Sequence, residues 1–334
     1  MIQLRAYTRR ALAVHLGSRG IFALTSSTHS PLTYTSMPLR VGYVREHFAS
    51  PLLQYQEADQ DKSFSLVSCP GGTGQLIKAL EDDQVDVVVA LTDALIAGIA
   101  RGSEYKLVGS YVNSPLNWAI VTGKGSKYES RSDLRGTTFG ISRKGSGSEL
   151  MVKLMARQEG WTKEGSTELE EIKFKVCNNL DGLKDAVNDG SCSCFLWEWF
   201  TTKPYVDAGE VRFIGSVPTP WPSWSIAAHT STSRTPVDKV INFVATLTTY
   251  VNEFDSHTAR AQRDVDYIKD HFGYPEEDIR AWLRTVEYPG DCTKLDGAMI
   301  VRTLGILAGT GAVVRPESGF VVESFTNINA VRIE

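Results

Sequence analysis

The sequence predicts an α/β fold of two lobes with a helical C-terminal part. Short apolar runs alternate with small-residue turns and helix-period stretches from residue 39 to about residue 217, the order that stacks helices on sheets. A chain of 334 residues is also longer than one hydrophobic core usually serves. From Pro236 onward the pattern turns to helices alone.

Residues 1–36 precede this pattern. They contain Arg5, Arg9, Arg10 and Arg19 but no Asp or Glu, and a helix there would align Leu4, Tyr7, Ala11 and Val14 on one side. That composition predicts a mitochondrial transit peptide and a matrix location, with a cytoplasmic protein carrying a basic tail as the alternative. The arginines and His15 interrupt every apolar run that a secretory signal would need. Without this segment the formal charge moves from −4 to about −8, which leaves no broad basic surface for nucleic acid. No later run reaches the roughly 18 uncharged apolar residues that span a bilayer, so no stable membrane insertion is expected.

The elements follow in order. Leu39 to Val44 reads as a strand, Ser65 to Cys69 as a second, and Pro70-Gly71-Gly72-Thr73-Gly74 as the turn that opens a helix at Gln75. Val85 to Leu91 is a buried strand, with Thr92 and Asp93 as N-cap candidates for a helix over 94–100. Strands are expected at Lys106 to Tyr111 and Asn117 to Thr122, and the polar stretch Gly123 to Ser132 marks the first passage between lobes. A fresh strand, Thr137 to Ser142, then leads through Ser146-Gly147-Ser148-Glu149 into a helix over 150–159, with Ser146 and Glu149 at capping-box spacing. Strands at 171–176, 192–197 and 211–217 and a helix at 180–188 complete the second lobe. Pro218 to Trp224 holds three prolines and is too stiff for either regular element, so it reads as the return connection. The lobes are therefore expected at 37–120 with 222–334, and at 121–221. Helices are expected over 237–250, 260–271, 276–282 and 294–307, and the tail after Gly309 carries no assignment.

Val41-Gly42-Tyr43, Gly72-Thr73-Gly74, Val85-Asp86-Val87 with Thr92-Asp93-Ala94, and Leu134-Arg135-Gly136 before the Gly-Ser helix start occur in the order found in type 2 substrate-binding proteins. Over about residues 38 to 290 the chain resembles that family. It is most similar to the branch of sulfonate and taurine binders and of binders and synthases of the thiamine pyrimidine. With Phe195-Leu196-Trp197-Glu198-Trp199-Phe200 it is similar to a set of fungal binding-protein-like domains. The resemblance implies the type 2 periplasmic-binding-protein fold, two inter-lobe crossings, and a heterocyclic, pyrimidine-like or anionic ligand in a hinge cleft. It leaves two alternatives, an enzyme of thiamine-pyrimidine biosynthesis on the same scaffold and a substrate-delivery component of a transport system. The fungal synthases use a cofactor-bearing Lys, a sacrificial His and a dense cysteine cluster, of which Cys192-Ser193-Cys194-Phe195 is a partial echo.

Candidate ligand residues come from the strand-to-helix turns and from the aromatic positions near the crossings. Tyr43, Gly72, Thr73, Thr92, Asn117, Ser146, Gly147 and Ser148 stand where unpaired backbone N–H groups and helix dipoles would meet an anion or a polarised ring. Trp197, Trp221 and Trp224 would sandwich a flat ring, with Glu198 facing away from Trp197 and Trp199.

No catalytic or metal site is expected. After the leader only His47, His229, His257 and His271 remain, and neither HExxH nor G-x-S-x-G occurs. Glu46 and His47 follow the first strand, where they would either reach the cleft or, as is commoner, form a helix-surface pair. Ile77 stands where a dinucleotide fingerprint needs its third glycine, so no cofactor is expected. Five scattered cysteines suggest neither a disulfide framework nor a metal site.

Overall fold

The computed structural model describes residues 37–334, so the leader and its expected targeting role lie outside the described residues. The first lobe opens with β1 (Leu39–Tyr43), α1 (Ser50–Asp59), β2 (Phe64–Ser68), α2 (Thr73–Glu81), β3 (Val87–Leu91), α3 (Thr92–Ala100) and β4 (Tyr105–Val112). The second lobe contains β5 (Asn117–Gly123), β6 (Thr138–Ile141), α4 (Gly147–Gln158), β7 (Lys173–Val176), α5 (Leu180–Asn188), β8 (Cys194–Glu198), α6 (Trp199–Asp207) and β9 (Val211–Pro218). The chain returns through β10 (Trp224–His229) to α7 (Val237–Phe254), a π-helical turn (Ala259–Arg263), α8 (Asp264–Phe272) and α9 (Glu276–Leu283). It ends with β11 (Lys294–Leu295), α10 (Gly297–Gly309) and β12 (Arg332–Ile333).

Each lobe is built on one five-stranded sheet. The first has the order β2-β1-β3-β10-β4 and the second β7-β6-β8-β5-β9. In both, parallel strands from strand-helix-strand units meet an antiparallel partner: β10 pairs with β3 and β4, and β5 with β8 and β9. Val41, Val87, Val88 and Ile226 are fully buried in the first sheet. Their near-continuous apolar runs suit strands covered on both faces.

The chain crosses between the sheets at 113–116 and again at 219–223. The first crossing is earlier than the expected boundary after residue 120 and well before the polar stretch 123–132. Ala119, Ile120 and Val121 are already paired with β8 and β9 in the second sheet, and Pro115 ends the preceding extended run. Gly123 to Ser132 is instead the connection toward β6.

Boundaries also shift at the C-terminus. The helix expected from Lys294 starts at Gly297 because Lys294 and Leu295 pair with Arg332 and Ile333. The unassigned tail runs beside β4, where Leu107 N–H donates to Phe325 O and Asn327 N–H to Leu107 O, both at 2.9 Å. That pairing covers part of an otherwise open sheet edge. All five cysteines are buried and free. Among the described residues no helix is long and apolar enough to cross a membrane, and no group of three His, Cys, Asp or Glu is placed to hold a metal.

Candidate functional site

The inter-lobe cleft encloses about 690 Å³, within the ordinary range for small-molecule sites. Its walls are the carboxyl ends of strands and the first turns of helices from both lobes, the position that open α/β sheets give to ligands. From the first lobe come the α2 start, Leu91 and Asp93, and Trp224 on β10; from the second come Trp118, the α4 start, Asn178 and Asn179, and Trp197 and Glu198.

Local chemistry explains these turns. Gly72 caps α2 with φ 73° and ψ −164°, a conformation that side chains strongly disfavour. Thr73 Oγ1 accepts from Leu91 N–H at 3.3 Å, tying the helix start to the end of β3. At α4, Ser146 is the N-cap and its Oγ accepts from Glu149 N–H at 3.4 Å, while Glu149 Oε2 accepts from Gly145 N–H at 2.7 Å. Gly147 leaves room for Trp118, since a Cβ there would lie 2.9 Å from Cη2 of that ring.

Arg143 is the principal cation here. Its side chain leaves the second lobe and lies against Gly74 of α2, so that a Cβ on Gly74 would fall onto the guanidinium. Burial pulls its pKa below the ordinary arginine value. No acidic residue among those described forms an ion pair with it, whereas Lys153 is neutralised by Glu149 at 2.7 Å. A guanidinium at the positive ends of α2 and α4 gathers one sign of charge in one place.

The acidic groups of the cleft are equally distinctive. Burial, and then the charge of Glu198, push the Glu46 carboxyl up to about 8. Burial pushes Asp93 up to about 6 against its own N–H, that of Ala94 and the nearby Trp221 indole. Glu198 is also raised by burial, although Oε2 accepts from Thr201 N–H at 2.6 Å and Thr201 Oγ1 at 2.8 Å as the N-cap of α6. A carboxylate in a helix first turn typically gains about 0.3–1 kcal/mol. The donors at Asp93 are neutral N–H groups, and burying a charge with no opposite charge beside it costs more than a first-turn position returns, so capping alone does not account for Asp93.

The sequence-based candidates divide on the structure. Gly72, Thr73, Ser146, Gly147, Ser148, Trp197, Glu198 and Trp224 line the cleft. Tyr43, Thr92, Asn117 and Trp221 do not. Tyr43 and Trp221 are buried, Thr92 Oγ1 bonds Ser225 Oγ at 2.8 Å inside the first lobe, and Asn117 starts β5 opposite Pro218. Trp199 stacks on Phe213 in the second-lobe core, ring centroids 4.1 Å apart. Glu46 reaches the cleft, but His47 is 2% exposed and enclosed by Phe48, Tyr274, Trp282 and Phe200 rather than lying on a helix surface. Sequence reasoning missed Arg143, Asn178 and Asn179; the only signal was their place just before the α4 and α5 starts.

The family model for Ca3427-like PBP matches residues 118–217, the span from Trp118 on β5 to Val217 on β9. The solved structure of the conserved Candida albicans CA3427 gene product, described as defining a new family with the generic periplasmic-binding-protein fold, is 30% identical. The match covers 89% of this chain and 98% of that one, with a TM-score of 0.77. The chain belongs to the Ca3427-like periplasmic-binding-protein family.

More distant structures show the same type 2 fold around the Ca3427-like cleft. The periplasmic aliphatic sulphonate binding protein SsuA from Escherichia coli matches at 15% identity over 87% of this chain and 92% of its own, TM-score 0.63. The alkanesulfonate-binding protein SsuA from Xanthomonas axonopodis pv. citri, bound to MOPS, matches at 14% over 89% and 99%, TM-score 0.69. None of the curated proteins matches the chain. This Ca3427-like chain thus has the type 2 periplasmic-binding-protein fold.

Proposed function

We propose that the chain holds one small organic oxyanion with a flat ring body in its inter-lobe cleft. The observation that carries this reading is Arg143, an arginine without an acidic partner laid across the cleft onto the first turn of α2 and beside that of α4. A carboxylate, sulfonate or phosphate there would meet a guanidinium fork and the amino ends of two helices. Trp118, Trp197 and Trp224 supply the aromatic walls for the ring, which favours a heterocycle such as a pyrimidine over a simple alkyl anion. Sulfonate binding by structures of the same fold supports the choice of oxyanion.

The test is calorimetric titration of the chain with benzenesulfonate and with pyrimidine carboxylates, repeated on Arg143→Ala. A hydrogen bond to a charged group contributes about 1.5–3 kcal/mol, so the variant should bind roughly 10- to 100-fold more weakly at a nearly unchanged melting temperature. Equal affinity in both proteins would sink the anion site. The composition of residues 1–36 supports a mitochondrial setting for this binding, and fractionation of cells expressing the tagged full chain tests it.

A further inference from the structure

Five acidic residues line the cleft; Glu149 pairs with Lys153 at 2.7 Å and Asp181 with Lys184 at 3.3 Å, which leaves Glu46, Asp93 and Glu198, from three elements. Glu46 follows β1 and Asp93 lies in the first turn of α3, both in the first lobe; Glu198 ends β8 in the second. Asp93 is 5% and Glu198 7% exposed.

Elsewhere in the molecule a buried carboxylate has a cation beside it: Asp86 has Arg40 at 2.7 Å, Asp278 has Lys203 at 3.1 Å and Asp264 has Arg263 at 3.4 Å. Among the described residues none of the three cleft carboxyls has such a partner. Thr201 occupies Oε2 of Glu198. The donors at Asp93 are neutral, its own N–H, that of Ala94 and the Trp221 indole, and those at Glu198 are Thr201 and the Phe200 N–H, so no donor at either carboxyl carries a charge. The ionisable groups beside Glu46 and Glu198 are each other, Tyr274 and the chain neighbours Arg45 and His47; Arg45 is turned to His271 O and the Phe272 ring, and burial holds His47 neutral, so none of them neutralises the pair. An oxyanion held at Arg143 would leave these carboxyls without a partner. A protonated nitrogen would instead pair with carboxylates from both lobes and draw the lobes together.

We propose that the ligand is a zwitterion, with its oxyanion against Arg143 and a protonated amine or amidine nitrogen on the same molecule seated among Glu46, Asp93 and Glu198. This rests on the anion-binding reading above and adds the opposite pole. Seating the cation ionises Glu46, whose carboxyl burial holds largely protonated near neutral pH, so binding releases protons.

The experiment is calorimetric titration of the full chain at pH 7.5 with benzenesulfonate, 4-(aminomethyl)benzenesulfonate and benzylamine, each in two buffers of different ionisation enthalpy. The aminomethyl sulfonate should bind at least tenfold more tightly than either single-pole probe and release protons to the buffer. Glu46→Gln should weaken that compound about tenfold and leave benzenesulfonate nearly unchanged, since the Glu46 carboxyl is largely protonated at this pH before the amine arrives; Asp93→Asn, which removes a charge already present at pH 7.5, should weaken the aminomethyl compound and strengthen benzenesulfonate. Benzenesulfonate binding as tightly as the aminomethyl compound overturns the zwitterion and leaves the anion reading standing. Benzylamine binding as tightly as the aminomethyl compound removes the anion pole and the zwitterion with it. Binding of none of the three overturns both readings.

Discussion

His47 shows most directly what a single side chain contributes here. Both ring nitrogens are buried without a hydrogen-bond partner, and burial pushes the imidazole down to about 3. In the unfolded chain it titrates near 6.5, so between about pH 3 and 6.5 the unfolded state binds the extra proton. This contribution to stability is therefore present above pH 6.5 and is lost as the pH falls, at up to about 1.4 kcal/mol per unit. His47→Phe, which suits a cage of Phe48, Tyr274 and Trp282, should lose less stability than the parent between pH 6.5 and 4.5 in urea unfolding. Parallel pH profiles would place the proton elsewhere. The sequence favoured a surface pair over the cleft for Glu46-His47 and suggested no buried cage, because no local pattern reveals that Phe200, Tyr274 and Trp282 arrive from far downstream. Most other misplaced candidates miss by one position. Val44, Asp93 and Trp118 line the cleft where Tyr43, Thr92 and Asn117 were expected, since neighbouring side chains along a strand or at a helix start face different ways.

At the scale of elements, the strands and the caps were the legible part. Apolar runs and small-residue turns mark β1, β3, β5 and β8 because strand periodicity and turn chemistry are local. Two helices were not legible. α1 carries little amphipathic contrast and is recognised only by Pro51 in its first turn. α6 begins directly at Trp199 after β8, capped by Glu198, and contains Pro204, a residue that argues against a helix from sequence alone. The α4 start was legible because its cap is written in adjacent residues. Ser146→Ala removes the Oγ that accepts from Glu149 N–H and bonds Ser148 Oγ at 2.9 Å. It should cost about 1 kcal/mol, the usual loss for an N-cap, as a lower urea midpoint at unchanged slope. A midpoint equal to the parent would show that Glu149 and Gly145 hold the turn by themselves.

For the molecule as a whole, the two lobes act on one ligand only if the crossings behave as one joint. They are bonded to each other: Leu116 N–H donates to Thr219 Oγ1 at 2.9 Å, Thr219 N–H to Leu116 O at 3.0 Å, and Ser223 N–H to Ser114 O at 3.1 Å. Thr219 Oγ1 also donates to Trp221 O at 2.8 Å, and Ser114 is tied to the segment after α9 through Glu287 N–H at 3.1 Å. The prolines and tryptophans of 218–224 announced a return connection, but the first crossing, at 113–116, was placed too late in the sequence because pairing across the joint is non-local. Thr219→Val keeps the side-chain shape and removes both hydroxyl bonds, leaving the Leu116 N–H and Trp221 O short of partners inside the joint. An unsatisfied buried group costs about 1–3 kcal/mol, so the variant should melt several degrees lower. Thr219 does not line the cleft, so a loss of ligand affinity beyond the stability change would arise from a smaller population of the closed, binding-competent arrangement, which weakens binding in proportion. A variant that melts like the parent and binds with the same affinity would mean that the lobes are positioned by the first crossing and the helical C-terminal part, and that 219–223 is only a link.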